Sequence, residues 1–149
     1  MQEYFRRVLV GADGTKQSQF AIQAAVGVAK KFGSQFHCVG VIRPPSAETE
    51  AEGVGLEDLH HTHQSVRDQV NSCTDQARAE GLPTTAQLLE GDPESAIEDY
   101  AHKMSVDLIV VGHHHLNRLR RFLEGSPSEN LVEHALTSVL VVRSSLEDA

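Results

Sequence analysis

The residues with chemistry to offer lie together between Val106 and Glu129, in the stretch VDLIVVGHHHLNRLRRFLEGSPSE. Ser126 with Glu129 three residues later makes a capping box, and Pro127 falls at the first helical position. A helix start of this kind leaves N–H groups unpaired at the positive end of the dipole, which favours an anion. Gly125, just before the cap, carries no side chain to obstruct a ligand approaching those amides. Upstream sit Arg118, Arg120 and Arg121, cations in an acidic chain. They can neutralise phosphate charge or simply form a solvated basic loop. The plainer reading of Ser126 is a helix cap and nothing more. Strand, glycine, basic segment, glycine, capped helix: that order suits a phosphate site.

The elements that must position these residues follow from periodicity. Leu108 to Val111 is an unbroken apolar run, as expected of a strand covered on both faces in a parallel sheet, and Gly112 ends it. Arg7 to Val10 reads as a first strand, followed by Gly11-Ala12-Asp13-Gly14-Thr15 and a helix. That helix carries Phe20, Ala21, Ala24, Ala25, Val28 and Phe32 as its apolar stripe and stops at Gly33. Asp13 on its residues alone closes an Asx-turn or caps the helix. Ser34 to Ile42 is a second strand, stopped by Pro44 and Pro45. A long helix from Leu56 to Gly81 places Leu59, His63, Val66, Val70, Cys73 and Ala77 on one seam, so His63 reads as a half-buried histidine. TTAQLLEG is a third strand, and Asp92-Pro93 opens a helix that buries Ile97, Tyr100 and Ala101. A further helix from Pro127 to about His134 leads to a last strand, Ser138 to Arg143. Strands and helices alternate throughout, which implies a parallel sheet with helices on both faces and ligand at the carboxyl ends of the strands.

On these residues the chain resembles the universal stress protein family. Members with a nucleotide site carry Gly-x2-Gly-x9-Gly-[Ser/Thr] after the fourth strand. Here the pattern runs from Gly112 through His115 to Gly125-Ser126, with spacing kept and the second glycine replaced by histidine. An imidazole there either blocks the approach of phosphate or replaces it with a side-chain contact. The resemblance implies a single-domain three-layer α/β/α sandwich with a five-stranded parallel sheet, Rossmann-like and similar to the adenine nucleotide alpha hydrolase fold. The domain spans 1–149, with an ordered core over about 1–143 and a tail over 144–149. The family also implies a homodimeric stress-response regulator binding ATP, or AMP or cyclic AMP, with Mg²⁺ accompanying ATP. By the resemblance Asp13 hydrogen-bonds the nucleoside and Val41 lies against adenine. Gly112, His115, Gly125, Ser126, Pro127 and Ser128 line the phosphate end, and Arg118, Arg120 and Arg121 supply charge. The last strands of two subunits would pair antiparallel through Val139, Leu140, Val141 and Val142. The alternative is a dimeric interaction protein of the same family that has lost nucleotide binding.

Composition bounds the rest. A chain of 149 residues with 40% hydrophobic and 23% charged residues fits one soluble globular domain. A net charge of −8 argues against nucleic acid bound through a broad basic face. The absence of a leader pattern and of any run able to span a bilayer makes the cytoplasm the expected compartment. Cys38 and Cys73 lack metal-ligand spacing and read as free thiols. His60, His61 and His63, and the triplet His113 to His115, invite a metal reading that helical geometry and a shared strand exit disfavour. No nucleophile–base–orienter set emerges, so the expectation is a non-enzyme with at most slow ATP hydrolysis.

Overall fold

The computed structural model describes residues 4–44, 51, 53, 55–113 and 137–143. In chain order the elements are β1 (Arg7–Ala12), α1 (Lys16–Phe32), β2 (Gln35–Ile42), α2 (Leu56–Ala79), β3 (Thr84–Glu90), α3 (Pro93–Lys103), β4 (Leu108–Gly112) and β5 (Ser138–Val142). The helix expected from Pro127 lies outside the described residues. The strands form one sheet in the order β3-β2-β1-β4-β5, every pair parallel. The order reverses between β1 and β4, and there the carboxyl ends open a crevice.

Alternation along the strands divides the core in two. Val8, Val10, Phe36, Cys38, Leu108 and Val110 face α1 and α2, which contribute Ile22, Ala25, Val26, Val66, Val70 and Cys73. Leu9, Val39, Ile109 and Val111 face the other way, onto Tyr100 and Ala101 of α3. Helices on both faces of a parallel sheet make the expected three-layer α/β/α sandwich. Val8, Leu9 and Val10 are wholly buried, and each such side chain contributes about 1.5–3 kcal/mol.

Three local features seat the layers. The Asp107 carboxylate accepts from the amides of Arg6 at 2.9 Å and Arg7 at 2.8 Å, which ties the start of β1 to the start of β4. A Cβ on Gly40 would fall 2.6 Å from Val66 Cγ1 and 2.8 Å from Val70 Cγ2, so only glycine lets α2 lie this close to β2. Asp92 caps α3 by accepting from the Ser95 amide at 3.1 Å, with Pro93 in the first turn as expected.

Two expectations need correction. The first strand continues through Gly11 and Ala12, which pair with Val39 and Gly40, rather than stopping at Val10. The buried stripe of α1 runs through Ser18, Ala21, Ile22, Ala25, Val26 and Ala29, rotated from the expected line through Phe20, Val28 and Phe32. Phe32 is 52% exposed and meets Phe5 edge-on at 5.2 Å. The rotation turns small and β-branched residues to the sheet, where Ser18 is held by the preceding turn. Cys38 and Cys73 are free thiols inside the α2-side core, as expected. A side-chain hydrogen bond with the neighbouring Cys73, reinforced by burial, pushes the Cys38 thiol far up, so it stays protonated.

Candidate functional site

Asp13 leaves the end of β1 where the sheet order reverses. Ala12 pairs with Gly40, so one residue on Asp13 stands level with Val41. On the other side the β1–β4 ladder ends at Val10 opposite Val110, and Gly112 ends β4 with His113 just beyond it, at the same end of the sheet. Register therefore sets Asp13 level with Val41, with the Gly112–His113 step at the same end of the sheet. Val41 is half-buried against the α3-side core, and Gly112 is buried with the Gln17 carbonyl close above it. His113 is exposed. His115, Arg118, Arg120, Arg121, Gly125, Ser126, Pro127 and Ser128 lie outside the described residues.

The turn after β1 is closed on itself. Asp13 Oδ1 accepts from the Thr15 amide at 2.8 Å, the Thr15 hydroxyl at 2.5 Å and the Ser18 hydroxyl at 2.5 Å. Thr15 Oγ1 in turn accepts from the Ser18 amide at 3.2 Å and caps α1, while Ser18 Oγ accepts from the Asp13 amide at 3.3 Å. Asp13 thus forms the Asx-turn, and Thr15 rather than Asp13 is the helix cap. The amides of Asp13, Gly14, Thr15 and Ser18 are all engaged by protein groups.

Sequence reasoning missed the residue that clamps this turn from outside. Gln69 of α2 accepts from the Gly14 amide at 2.8 Å and donates through Nε2 to the Thr15 carbonyl at 2.8 Å. Gly14 has φ +82°, and a Cβ there would lie 2.9 Å from Ser65 Cβ, so the turn sits directly on α2. Nearly two turns earlier on α2, half-buried His63 hydrogen-bonds through Nε2 to the Arg43 carbonyl at 2.8 Å. It reads as structural, as expected, and anchors the chain leaving β2. Only its place on the α2 seam hinted at this in the sequence; Gln69 gave no signal.

A second polar pair lies deeper. His37 of β2, buried, shares a 2.8 Å hydrogen bond through Nδ1 with the Tyr100 hydroxyl of α3. Burial, aided by the nearby Arg7 charge, lowers the His37 pKa from its ordinary value, and burial raises that of Tyr100. Both stay neutral around pH 7. Among the described residues no group of three or more His, Cys, Asp or Glu side chains is placed to hold a metal ion. Among them, too, no helix is long and apolar enough to cross a membrane.

A parallel sheet with its crevice at a strand-order reversal and an aspartate-locked turn on its rim defines a doubly wound α/β protein. The chain belongs to the universal stress protein family, whose sequence model matches residues 4–143. A relative from Staphylococcus aureus (strain USA300) that carries the universal stress protein name is 33% identical over 144 residues, covering 94% of this chain and 85% of its own. Among solved structures, a family protein from Burkholderia pseudomallei superposes with a TM-score of 0.70 at 21% identity, covering 94% of this chain and 97% of that one. A universal stress protein in complex with cAMP superposes with a TM-score of 0.67 at 25% identity, covering 96% and 100%.

Proposed function

We propose that this chain binds an adenine nucleotide, ATP foremost, in the crevice between β1 and β4 and works as a cytoplasmic homodimeric stress-response regulator. The observation that carries the reading is that Asp13, level with Val41, and Gly112 lie at the carboxyl ends of their strands where the strand order reverses. The similar protein in complex with cAMP supports an adenine nucleotide as the ligand class.

In this reading Val41 lies against the adenine and Asp13 hydrogen-bonds the nucleoside. The carboxylate is already immobilised by three donors, so little side-chain entropy is lost when ligand arrives. His115, Gly125, Ser126, Pro127 and Ser128 would hold phosphates, with Arg118, Arg120 and Arg121 as counter-charge. Mg²⁺ would enter with ATP, on phosphate oxygens and water. The dimer would form through β5, whose Leu140 is 37% exposed at the sheet edge.

Isothermal titration with ATP, AMP and cyclic AMP tests the nucleotide, together with extraction of any nucleotide from denatured purified protein. Binding of at least one is expected. No heat with any of them and no extracted nucleotide would overturn the proposal in favour of an interaction protein in which His115 closes the pocket.

A further inference from the structure

At the β3 edge two features meet that one kind of ligand satisfies together. Among the described residues nothing pairs with the outer side of β3, and from Thr84 to Leu89 it carries no charge and no proline to keep another chain away. The Phe36 amide donates to the Pro83 carbonyl and the Gly91 amide to the Ile42 carbonyl, so odd-numbered residues of β3 turn their backbone groups toward β2. The N–H and C=O of Ala86 and Leu88 therefore point outward, and both residues are exposed. Alternating donors and acceptors of this kind are matched by an extended backbone.

The second feature is a groove of about 380 Å³ alongside that edge, between β3 and α3. Thr85, Gln87 and Leu89 line it from the strand, since odd-numbered side chains face α3. On the helix Ala96 and Tyr100 supply apolar wall, and Asp99 and Lys103 supply one charge of each sign. Among the described residues neither charge has an ion-pair partner within the chain. Because α3 runs back from the carboxyl end of β3, Lys103 lies toward Thr85, and Asp99 and then Ala96 lie successively nearer Leu89. Asp99 and Lys103 stand about 6 Å apart along the helix, close to the roughly 6.6 Å between alternate residues of a strand.

A strand laid antiparallel on β3 exchanges both backbone hydrogen bonds with Ala86 and with Leu88. Its residues opposite Leu89, Gln87 and Thr85 face α3 and meet, in turn, the apolar wall at Ala96, the Asp99 carboxylate and the Lys103 ammonium. The matching side chains are apolar, basic and acidic, two residues apart in that order. A second copy of β3 does not fit, because TTAQLLE holds no basic residue for Asp99.

We infer that the β3 edge and its groove are a docking site for an extended peptide of a partner protein, added as an antiparallel strand with an apolar-x-basic-x-acidic face along α3. The site lies beyond β2 from the crevice and does not rest on nucleotide binding. Backbone pairing supplies the affinity, and the exposed charges choose direction and sequence.

The test is fluorescence polarisation of the full chain with an amino-terminally labelled, amidated probe, Thr-Val-Thr-Lys-Thr-Glu-Thr. Saturable binding below about 1 mM is expected. Ala86→Pro removes an outward N–H and no bond of the β2–β3 ladder, and should weaken binding about tenfold while the chain still melts cooperatively. Exchanging the probe's lysine and glutamate should weaken binding about fivefold, and the Asp99→Lys, Lys103→Asp double variant should reverse that preference. No saturable binding of either probe would overturn the inference. So would binding that a folded Ala86→Pro chain retains, or a probe preference that the double variant leaves unreversed. A mass of the chain alone that rises with concentration and falls with Ala86→Pro would give the edge to a second copy and overturn it too.

Discussion

Gln69→Met offers the sharpest perturbation of the turn that presents Asp13. Methionine keeps the length of the side chain but removes both polar atoms, so packing of α2 is largely preserved. The Gly14 amide and the Thr15 carbonyl each lose a 2.8 Å partner. A hydrogen bond of this kind contributes about 0.5–1.5 kcal/mol net, giving about 1–3 kcal/mol for the pair. Gly14 is half-buried and Thr15 exposed, so water recovers part of this, and about 2 kcal/mol is a fair centre. For a chain of this size that lowers the melting temperature by about 4–8 °C. If Asp13 meets the nucleoside, ordering the loosened turn must also be supplied by ligand, and ATP affinity should fall by up to about tenfold, or about 1.4 kcal/mol. Calorimetric melting and isothermal titration read the two effects separately. Unchanged melting with unchanged ATP binding would refute the clamp, and would mean that Asp13, Thr15 and Ser18 hold the turn unaided.

Other substitutions test neighbouring parts of the account. Asp13→Asn keeps an acceptor for the Thr15 amide while Asp13→Ala does not, so a melting temperature preserved in the first and lowered in the second identifies the turn role. If both lose ATP binding, the charge itself meets the ligand. Gly40→Ala should destabilise by about 1–3 kcal/mol through overpacking against Val66 and Val70, and an unchanged denaturation midpoint would contradict the close α2–β2 contact. His37 has its folded pKa lowered below the unfolded value of about 6.5, so the unfolded chain takes up the proton first. Its contribution to stability is complete above about pH 6.5 and is lost as pH falls toward the folded value. His37→Gln should flatten the decline in denaturant midpoint between about pH 7.5 and about pH 5.5, and an identical slope would assign the loss elsewhere. Leu140→Arg should abolish association through β5, with a halved mass at equal concentration; a mass equal to wild type would exclude that edge as a contact.

The parts of the fold legible in the sequence are those whose causes are local. Valine-rich runs became buried strands because a parallel sheet covers both faces, and Asp92-Pro93 and Gly33 punctuated α3 and α1 as their backbone preferences require. Val66, Val70, Cys73 and Ala77 formed the buried seam of α2 because helical spacing alone decides a face. The features that were not legible are non-local. Gln69 lies 55 residues from the amide it holds, and a glutamine on a helix carries the same local signature whether it meets water or a turn. The His37–Tyr100 bond spans 63 residues and depends on how α3 crosses the sheet. Phe32 was assigned inward on hydrophobicity, yet Ala29 and Val26 take the places against the sheet, where the closer approach of a small side chain decides. The edge place of β5 followed from its terminal position, whereas that of β3 follows only from the strand order. Asp13, Val41 and Gly112 were legible through family resemblance; that Asp13 stands level with Val41 is a property of register.

The most direct test of nucleotide binding at the strand-order reversal is a titration of ¹⁵N-labelled protein with ATP, followed by amide chemical shifts. Binding there predicts saturable shifts concentrated at Asp13 to Thr15, Val41, Ile42, Gly112 and His113, while the amides of β3 and α3 stay still. Shifts confined to β3 and α3, or none at any ATP concentration, would contradict it.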